Sequence, residues 1–377
     1  MLKCSGVDAV TRENVAVACD SVIRSVDPVL GGDTGDTFIA PGFIDLQVNG
    51  FAGVDFNSPA VSHAEIQRAI DAIFSTGVTR FFPTVITGDP AEMLAALRNL
   101  AAARESLPHG EAMAGFHVEG PHISPEDGPR GAHPRAWVRP PDFDEFLRWQ
   151  DAAQDHVRMV TLAPEWPGAP DYIERITETG VVAAIGHTRA TAAQIRDAVS
   201  AGATLSTHLG NGAGSKTRTE EFIAEQLNSS RLAASFIVDP HHLPDEFLSR
   251  ALHAKGVERS LLVTDAAAPA MCPPGPYVLG GVDVELKDDG RVVLRGGTRL
   301  AGSSLRMDHA IANVMARAGL TLAEAITMAT TNPARVGRVG GRLRGLQPGS
   351  RADLVRFRFA GHGIEIQETY LSGQRVF

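Results

Sequence analysis

The sequence has little cysteine and no long apolar run. Its three cysteines, Cys4, Cys19 and Cys272, are odd in number, lie far apart and form no Cys-x-x-Cys pair. A disulfide framework or a cysteine-ligated zinc site needs more thiols at closer spacing, so we expect reduced cysteines. The chain has no stretch of about 18 apolar residues, and no basic start followed by an apolar run after Met1. These absences predict a cytoplasmic protein without a membrane span.

An excess of basic residues is also missing. The chain has 35 Lys and Arg residues against 44 Asp and Glu residues, a formal net charge of −9. Nucleic acids and anionic membranes attract basic surfaces, so this balance argues against both as partners. It still allows a local basic pocket that binds a phosphorylated metabolite.

The 377 residues allow one large barrel with a small appendage, or two to three ordinary domains. Short apolar runs alternate with amphipathic stretches. The predicted strands are Phe43–Val48, Arg80–Ile86, Ala114–Glu119, Arg158–Ala163, Val181–Gly186, Ala203–His208, Ala233–Val238 and Ser260–Thr264. The predicted helices are Ala64–Ser75, Ala91–Arg104, Pro170–Thr179, Thr191–Ala201, Met307–Ala318 and Thr321–Thr330. Eight such strand–helix units over roughly 250 residues predict an α/β fold of the (β/α)8 TIM-barrel type.

The two ends of the chain have a different pattern. Short alternating segments precede Pro41-Gly42, and strand-like alternation returns over Ala352–Phe359 and Ile364–Leu371. We predict that residues 1–40 and 340–377 meet in one small β-sandwich domain, next to a barrel domain of residues 41–339. Two independent terminal subdomains are the alternative.

Three metal-binding residue types end separate apolar runs. Glu119 follows Ala114–Val118, and His187 and His208 end runs of their own. A single strand-end histidine is more often structural, and a single glutamate there often forms a salt bridge. The ends of parallel strands share one mouth in a barrel, however, so three such residues together predict a divalent metal site.

Asp265 ends the last predicted strand, Ser260–Thr264. A carboxylate beside a metal site can accept the proton of the attacking water and return it to the leaving amine. An N-cap or turn is the ordinary structural role of such an aspartate. The position on the eighth strand favours catalysis, and the four residues together predict metal-assisted hydrolysis.

Three loop segments add candidates for substrate contact. His133 and His242 lie in loops beyond strand ends, where barrels build their active sites. Loop histidines are usually just solvated. The glycine-rich segment 210–214 follows His208 and could present backbone N–H groups to a substrate oxygen, or could be a plain flexible loop.

Taken together and in this order, these segments resemble the amidohydrolase superfamily and, within it, the N-acetylglucosamine-6-phosphate deacetylases. The matching stretches, which cover nearly the whole chain, are 40–45, 47–50, 117–121, 186–188, 207–209, 262–266, 300–304, 328–330, 332–334 and 349–354.

The resemblance implies a role for each matching residue. Glu119, His187 and His208 correspond to metal ligands, Asp265 to the catalytic acid–base, and His133 to a residue that polarises the acetyl carbonyl. The residues implied in contact with the sugar phosphate are Ala132, His133, Asn211, Gly212, Arg218, His242, Ala301, Gly302 and Ser303.

The resemblance also implies a cofactor and an assembly. Many members of the superfamily have His-x-His at the end of the first strand, where a second metal binds. This chain has Gln47 and Asn49 there, so we expect one divalent ion per subunit, Zn²⁺ in the first place and otherwise Fe²⁺, Co²⁺ or Mn²⁺. The family also implies a homodimer.

Two other functions stay open from the residues. One is a superfamily deacylase or cyclic amidase with a different N-acyl substrate, and the loops around His208 and Arg218 are where the two functions differ. The other is a non-catalytic sugar-phosphate sensor on the same barrel. The presence of Glu119, His187, His208 and Asp265 argues against a sensor, since a sensor has no need of a proton shuttle.

Overall fold

The computed structural model of the protein describes residues 2–29, 36–211, 220–342, 345–361 and 363–377. Its strands are β1 Leu2–Asp8, β2 Asn14–Cys19, β3 Ile23–Pro28, β4 Phe38–Pro41, β5 Phe43–Val48, β6 Gly50–Phe51, β7 Val54–Asp55, β8 Val78–Ile86, β9 Phe116–Glu119, β10 Val157–Leu162, β11 Val182–Ile185, β12 Leu205–Ser206, β13 Ala233–Phe236, β14 Ser260–Leu262, β15 Gly275–Leu279, β16 Val282–Leu286, β17 Val292–Leu294, β18 Leu354–Ala360, β19 Gly363–Leu371 and β20 Gln374–Arg375.

The helices are α1 His63–Phe74, α2 Pro90–Ser106, α3 Phe143–Ala152, α4 Ala169–Glu178, α5 Ala192–Ser200, α6 Glu221–Asn228, α7 Asp245–Lys255, α8 Met307–Ala318, α9 Leu322–Ala329 and α10 Thr331–Val336. No helix within the described ranges is both long and apolar enough to cross a bilayer.

Eight parallel strands form the barrel, in the order β5, β8, β9, β10, β11, β12, β13 and β14. A parallel bridge between Val48 and Ala266 joins the first strand to the segment after the last strand and nearly closes the ring. Each predicted strand overlaps one of these eight, so the predicted (β/α)8 fold is confirmed. The strands are buried on both faces, as is typical of a sheet covered by helices.

Local sequence signals set where several helices begin. Ser62 and Glu65 form a reciprocal capping box at the start of α1, and Thr191 and Gln194 form one at α5. Such boxes satisfy backbone N–H groups that a helix start leaves without partners. The apolar face of α1, which includes Ile66, is buried in the main core.

The terminal strands form one seven-stranded sheet in the order β20, β19, β18, β4, β1, β2 and β3. We predicted a β-sandwich from these segments, and hydrogen bonds join all of them in a single sheet that contains strands from both ends of the chain. Strand β4 pairs with β18 and runs almost directly into β5, which ties this sheet to the barrel.

A three-stranded antiparallel sheet, β15–β17, lies between the last barrel strand and α8. This sheet was not among the predicted elements, although apolar residues alternate with acidic residues over Val282–Leu286. Its residues Leu279, Val282 and Val284 line the mouth of the barrel, so this insertion shapes the candidate site.

Candidate active site

The candidate site is a cavity of about 270 Å³ at the C-terminal ends of the barrel strands. Residues from five separate chain segments meet in its wall: Asn49, Glu119, His133, His187 and Asp265. This end of a barrel is where enzymes of the fold place their reacting groups. The cavity therefore joins residues that lie far apart in the sequence.

Glu119 is the centre of the site. It is the last residue of β9, and its Oε1 lies 3.1 Å from Nε2 of His187 and 2.9 Å from Nε2 of His208. Burial by itself raises the pKa of Glu119, but hydrogen bonds and charge from the two histidines lower it well below its ordinary value. The carboxylate is therefore ionised, and both imidazoles meet the same oxygen.

The backbone positions these side chains in a shared way. His187, His208 and Asp265 each follow a barrel strand closely and have positive φ angles of 50°, 30° and 51°. Residues other than glycine seldom adopt this left-handed region, and non-glycine residues held there cost about 1–3 kcal/mol each. His187 and Asp265 line the cavity, and His208 contacts Glu119 in its wall. The fold therefore holds strained backbone at the residues that surround Glu119.

Hydrogen bonding sets the tautomer of His187. Its Nδ1 lies 2.9 Å from the carbonyl oxygen of Pro129, which can only accept. Nδ1 therefore carries a proton. Burial lowers the pKa of His187, but the hydrogen bond and charge of Glu119 outweigh burial and raise it, so the protonated ring donates from Nε2 to Glu119. In the neutral ring, the Nε2 lone pair would face Glu119 instead. A buried carboxylate oxygen and imidazole lone pairs that converge on it are a donor set that fits a divalent metal ion.

His133 lies beside the same nitrogen of His187, Nε2, that faces Glu119. Glu119, His133 and His187 each offer one possible ligand atom, and these three atoms lie within 4.8 Å of one another. Nε2 of His133 is 3.3 Å from Nε2 of His187. The other ring nitrogen, Nδ1, lies 2.9 Å from Oγ1 of Thr87, a residue that the sequence analysis missed. Burial, followed by the charge of His187, lowers the pKa of His133 to about 3, so its ring is neutral.

Asp265 accepts hydrogen bonds from two side-chain amides: that of Gln47 in the first barrel strand, and that of Asn49 directly after this strand. Its Oδ1 accepts hydrogen bonds from Nδ2 of Asn49 at 2.7 Å and from Nε2 of Gln47 at 3.1 Å. Burial, followed by the charge of Glu119, raises the pKa of Asp265 to about 6. From the sequence, Gln47 and Asn49 were expected only to take the place of second-metal ligands, whereas in the structure both donate hydrogen bonds to Asp265.

A buried carboxylate beneath the site supports this arrangement. Oδ2 of Asp45 accepts a hydrogen bond of 2.5 Å from the Thr264 hydroxyl, next to Asp265 in the chain. Burial raises the pKa of Asp45 to about 7. The Ser303 hydroxyl donates to the backbone carbonyl of Thr264 at 2.6 Å. This hydrogen bond holds the backbone directly before Asp265.

The predicted substrate-contact residues have different positions. Four of them besides His133 line the cavity: Ala132, Asn211, Ala301 and Gly302. The Asn211 N–H donates to the carbonyl oxygen of His208. His242 and Ser303 are outside the cavity lining, and Nδ1 of His242 lies 2.7 Å from Oδ2 of Asp239. Gly212 and Arg218 lie outside the described residues.

Arg299 is a cavity residue that the sequence analysis missed. It lines the same cavity as Glu119 and donates from Nη1 to the carbonyl oxygen of Gly131 at 3.1 Å. It is exposed, so its charge is available at the cavity mouth. Its position directly before the segment Leu300-Ala301-Gly302-Ser303 was the signal that could have identified it.

Comparison with known proteins shows what the chain is similar to. Residues 38–376 match the model of the amidohydrolase family. An N-acetylgalactosamine-6-phosphate deacetylase of Escherichia coli O157:H7 is 33% identical over 361 residues, which cover 94% of this chain and 92% of that protein. The human N-acetylglucosamine-6-phosphate deacetylase is 35% identical over 356 residues, with coverage of 92% and 85%.

A solved structure gives the same result in three dimensions. The chain is similar, at a TM-score of 0.88 and 30% identity, to a mutant N-acetyl-D-glucosamine-6-phosphate deacetylase of Mycobacterium smegmatis in complex with N-acetyl-D-glucosamine-6-phosphate. The match covers 99% of this chain and 97% of that one.

Proposed function

The chain belongs to the amidohydrolase family, and from that membership we propose that it hydrolyses the N-acetyl amide of N-acetylglucosamine 6-phosphate or a close amino-sugar relative. The products are acetate and the free amine. One observation carries the proposal: Oε1 of Glu119 lies within 3.1 Å of two imidazole nitrogens, in a cavity that also contains the buried carboxylate of Asp265.

Glu119, His187 and His208 are the proposed ligands of one divalent ion, Zn²⁺ in the first place. A divalent ion at this position supplies a Lewis acid that polarises the amide carbonyl and lowers the pKa of water. His133 competes with His208 for the third place, because it too lies near His187. The Thr87 contact and the low pKa of His133 favour a different role, in which its neutral ring lies beside the carbonyl oxygen of the substrate and stabilises the negative charge that develops there.

Asp265 is the proposed acid–base residue. Its carboxylate accepts a proton from the attacking water and then passes that proton to the nitrogen of the departing amine. The amides of Gln47 and Asn49 donate to one carboxylate oxygen and so hold its orientation. A pKa of about 6 suits the task, because the group is ionised near neutral pH and still basic enough to accept a proton.

Arg299 and Asn211 are proposed to contact the sugar phosphate, since both line the cavity and Arg299 brings a positive charge to its mouth. Guanidinium groups bind phosphate with paired hydrogen bonds. Two epimeric substrates fit the comparisons: the 6-phosphates of N-acetylglucosamine and of N-acetylgalactosamine. The second is a candidate because the E. coli relative, which carries that name, is about as similar as the human one.

A substrate panel tests the proposal. Acetate release is measured with both epimeric 6-phosphates, unphosphorylated N-acetylglucosamine and an N-acyl amino acid, while the metal content is quantified. The proposal expects the largest kcat/KM with one of the 6-phosphates, and about one metal ion per chain. A preference for the N-acyl amino acid would favour a different deacylase, and absence of both metal and hydrolysis would favour a sensor.

For assembly and compartment, we propose a cytoplasmic homodimer. The described cysteines Cys4, Cys19 and Cys272 are all free thiols, which suits a reducing compartment. The dimer rests on the family resemblance, and light scattering during size-exclusion chromatography tests it directly. A mass of one chain at micromolar concentration would refute the dimer.

A further inference from the structure

A second cleft, of about 520 Å³, lies at the other end of the barrel. Its charged lining consists of Arg80, Arg104, Arg158, Arg338, Arg351 and Glu111. Arg80 and Arg158 lie near the starts of β8 and β10, whereas the candidate active site follows the strand ends. Five guanidinium groups around one cleft are unexpected in a chain whose formal net charge is −9.

Two of the five arginines are neutralised by nearby carboxylates. Nε of the buried Arg80 lies 2.9 Å from Oδ2 of Asp353, and Nη2 of Arg351 lies 2.8 Å from Oε2 of Glu111. Asp353 also pairs with the buried Arg342 at 3.0 Å. The two carboxylates, Asp353 and Glu111, therefore already pair with three arginines and do little to neutralise the other arginines of the cleft.

The other three arginines form no ion pair with any residue that the structure describes. Nε of Arg104 donates to the carbonyl oxygen of Met113 at 2.9 Å, and Nη1 of Arg338 donates to that of Gly180 at 2.6 Å. Arg158 and Arg338 are exposed, and Arg104 is half-buried. Burial, followed by the positive charges of Arg80 and Arg158, lowers the pKa of Arg104. The cleft thus concentrates positive charge that the described part of the protein does not balance.

We propose that this cleft binds a small anion that carries two or more phosphate groups. Several guanidinium groups on one concave surface can share phosphate oxygens through paired, charge-assisted hydrogen bonds. Focusing of the field in a cleft attracts such an anion although the rest of the chain is acidic. A nucleic acid is a poorer fit, because a long polyanion would also meet that acidic remainder.

The position of the cleft gives binding a structural consequence. Arg104 and Arg158 belong to the barrel, whereas Arg338 and Arg351 lie in the chain that leads into the terminal sheet. An anion bound among them links the two parts of the fold. Since a ligand that binds only the folded state stabilises it by mass action, the anion raises the unfolding temperature.

Pyrophosphate is the probe for the test, with the full-length, metal-loaded protein. Calorimetry measures the dissociation constant of pyrophosphate, and thermal unfolding measures the midpoint temperature of unfolding. Both are measured for the wild type and for an Arg158→Gln/Arg338→Gln double variant. Arg98→Gln, at an exposed position of α2 outside the cleft lining, is the matched control. Arg299→Gln reports any binding of pyrophosphate at the active-site mouth instead.

We expect the double variant to bind pyrophosphate at least about tenfold more weakly than the wild type, since it removes two charge-assisted contacts. Arg98→Gln and Arg299→Gln should keep wild-type affinity at the cleft, and the double variant should keep the wild-type kcat.

The proposal would be overturned by unchanged affinity in the double variant, by loss of binding only in Arg299→Gln, or by equal stabilisation by sodium chloride at matched ionic strength. A short RNA that bound the cleft more tightly than pyrophosphate would also overturn it. The single variant Arg158→Gln changes one exposed residue and repeats the test if the double variant proves unstable without ligand.

Discussion

Asn49 donates a hydrogen bond of 2.7 Å from Nδ2 to Oδ1 of Asp265, across the seam where the first and last barrel strands meet. Gln47 donates to the same oxygen from two residues earlier in the chain. Side chains at the end of the first barrel strand therefore orient the carboxylate of the residue that we propose as the acid–base. This relationship gives two substitutions with separable effects.

Asp265→Asn should lower kcat by about 10²–10⁴-fold, because a general acid–base residue contributes a factor of that order. The amide keeps the shape of the side chain but cannot accept the proton of water. Metal content should stay near that of the wild type. The measurement is steady-state acetate release beside metal quantification, with the exposed Asp283→Asn as control. Wild-type turnover in Asp265→Asn would remove Asp265 from the mechanism.

Asn49→Leu should have a smaller effect on kcat, roughly tenfold, and should change the pH profile. The hydrogen bond from Asn49 lowers the pKa of Asp265, so its loss raises that pKa further. A base must be ionised to act, and the acidic limb of kcat/KM should therefore move to higher pH. The full pH profile of both proteins measures the shift. An unchanged limb with reduced kcat would assign Asn49 a purely structural role.

Removal of the metal should abolish activity, and added Zn²⁺ should restore it. Three variants then identify the ligands: Glu119→Gln, His208→Gln and His133→Gln. We expect the first two to lower the metal content per chain at least about tenfold, since each removes a proposed ligand. His133→Gln should keep its metal and lose kcat. If His133→Gln lost metal while His208→Gln kept it, the ligand set would be Glu119, His133 and His187.

Arg299→Gln should raise KM for the 6-phosphate substrate by roughly tenfold, the value of one charge-assisted contact. The kcat/KM for the unphosphorylated sugar should not change, because that sugar has no phosphate group for Arg299 to contact. Arg295→Gln is the control, since Arg295 is exposed nearby and does not line the cavity. An equal loss on both sugars would place Arg299 outside phosphate recognition.

Asp353 should make stability depend on pH in the acidic range. Burial raises the pKa of this carboxyl, but the charges of Arg342 and Arg80 outweigh burial and lower it from 3.8 to about 2. The resulting stabilisation, roughly 2 kcal/mol, is present above about pH 4 and is lost as the pH falls through about 2.

Asp353→Asn leaves the buried Arg342 without a counter-ion and Arg80 with only the longer ion pair to Glu111 at 3.4 Å, so we expect it to lower the free energy of unfolding by about 3–5 kcal/mol at neutral pH. The difference in free energy of unfolding between this variant and the wild type should become smaller as the pH falls from 5 to 3. Urea unfolding at several pH values measures it, with Asp283→Asn as control. A difference that stayed constant down to pH 3 would contradict the lowered pKa.

Much of the barrel could be predicted from the sequence, because its signals are local. Apolar runs mark the strands, and Phe43–Val48 and Met307–Ala318 have the same bounds in the prediction and in the structure. The β15–β17 sheet was missed because its strands are short and half exposed, so their apolar pattern is weak. We predicted that the two ends of the chain meet, but their arrangement as a single sheet depends on long-range pairing, which no local pattern specifies.

The sequence by itself determined which residue types stand at the ends of the barrel strands, and so the prediction of a metal-dependent hydrolase with Glu119, His187, His208 and Asp265. Only the tertiary structure decided how they meet: the shared oxygen of Glu119, the amides of Gln47 and Asn49 on Asp265, and the place of Arg299 in the same cavity. The physical reason is distance along the chain. Propensity and periodicity act over a few residues, whereas these contacts form only when strands far apart in sequence close into a ring.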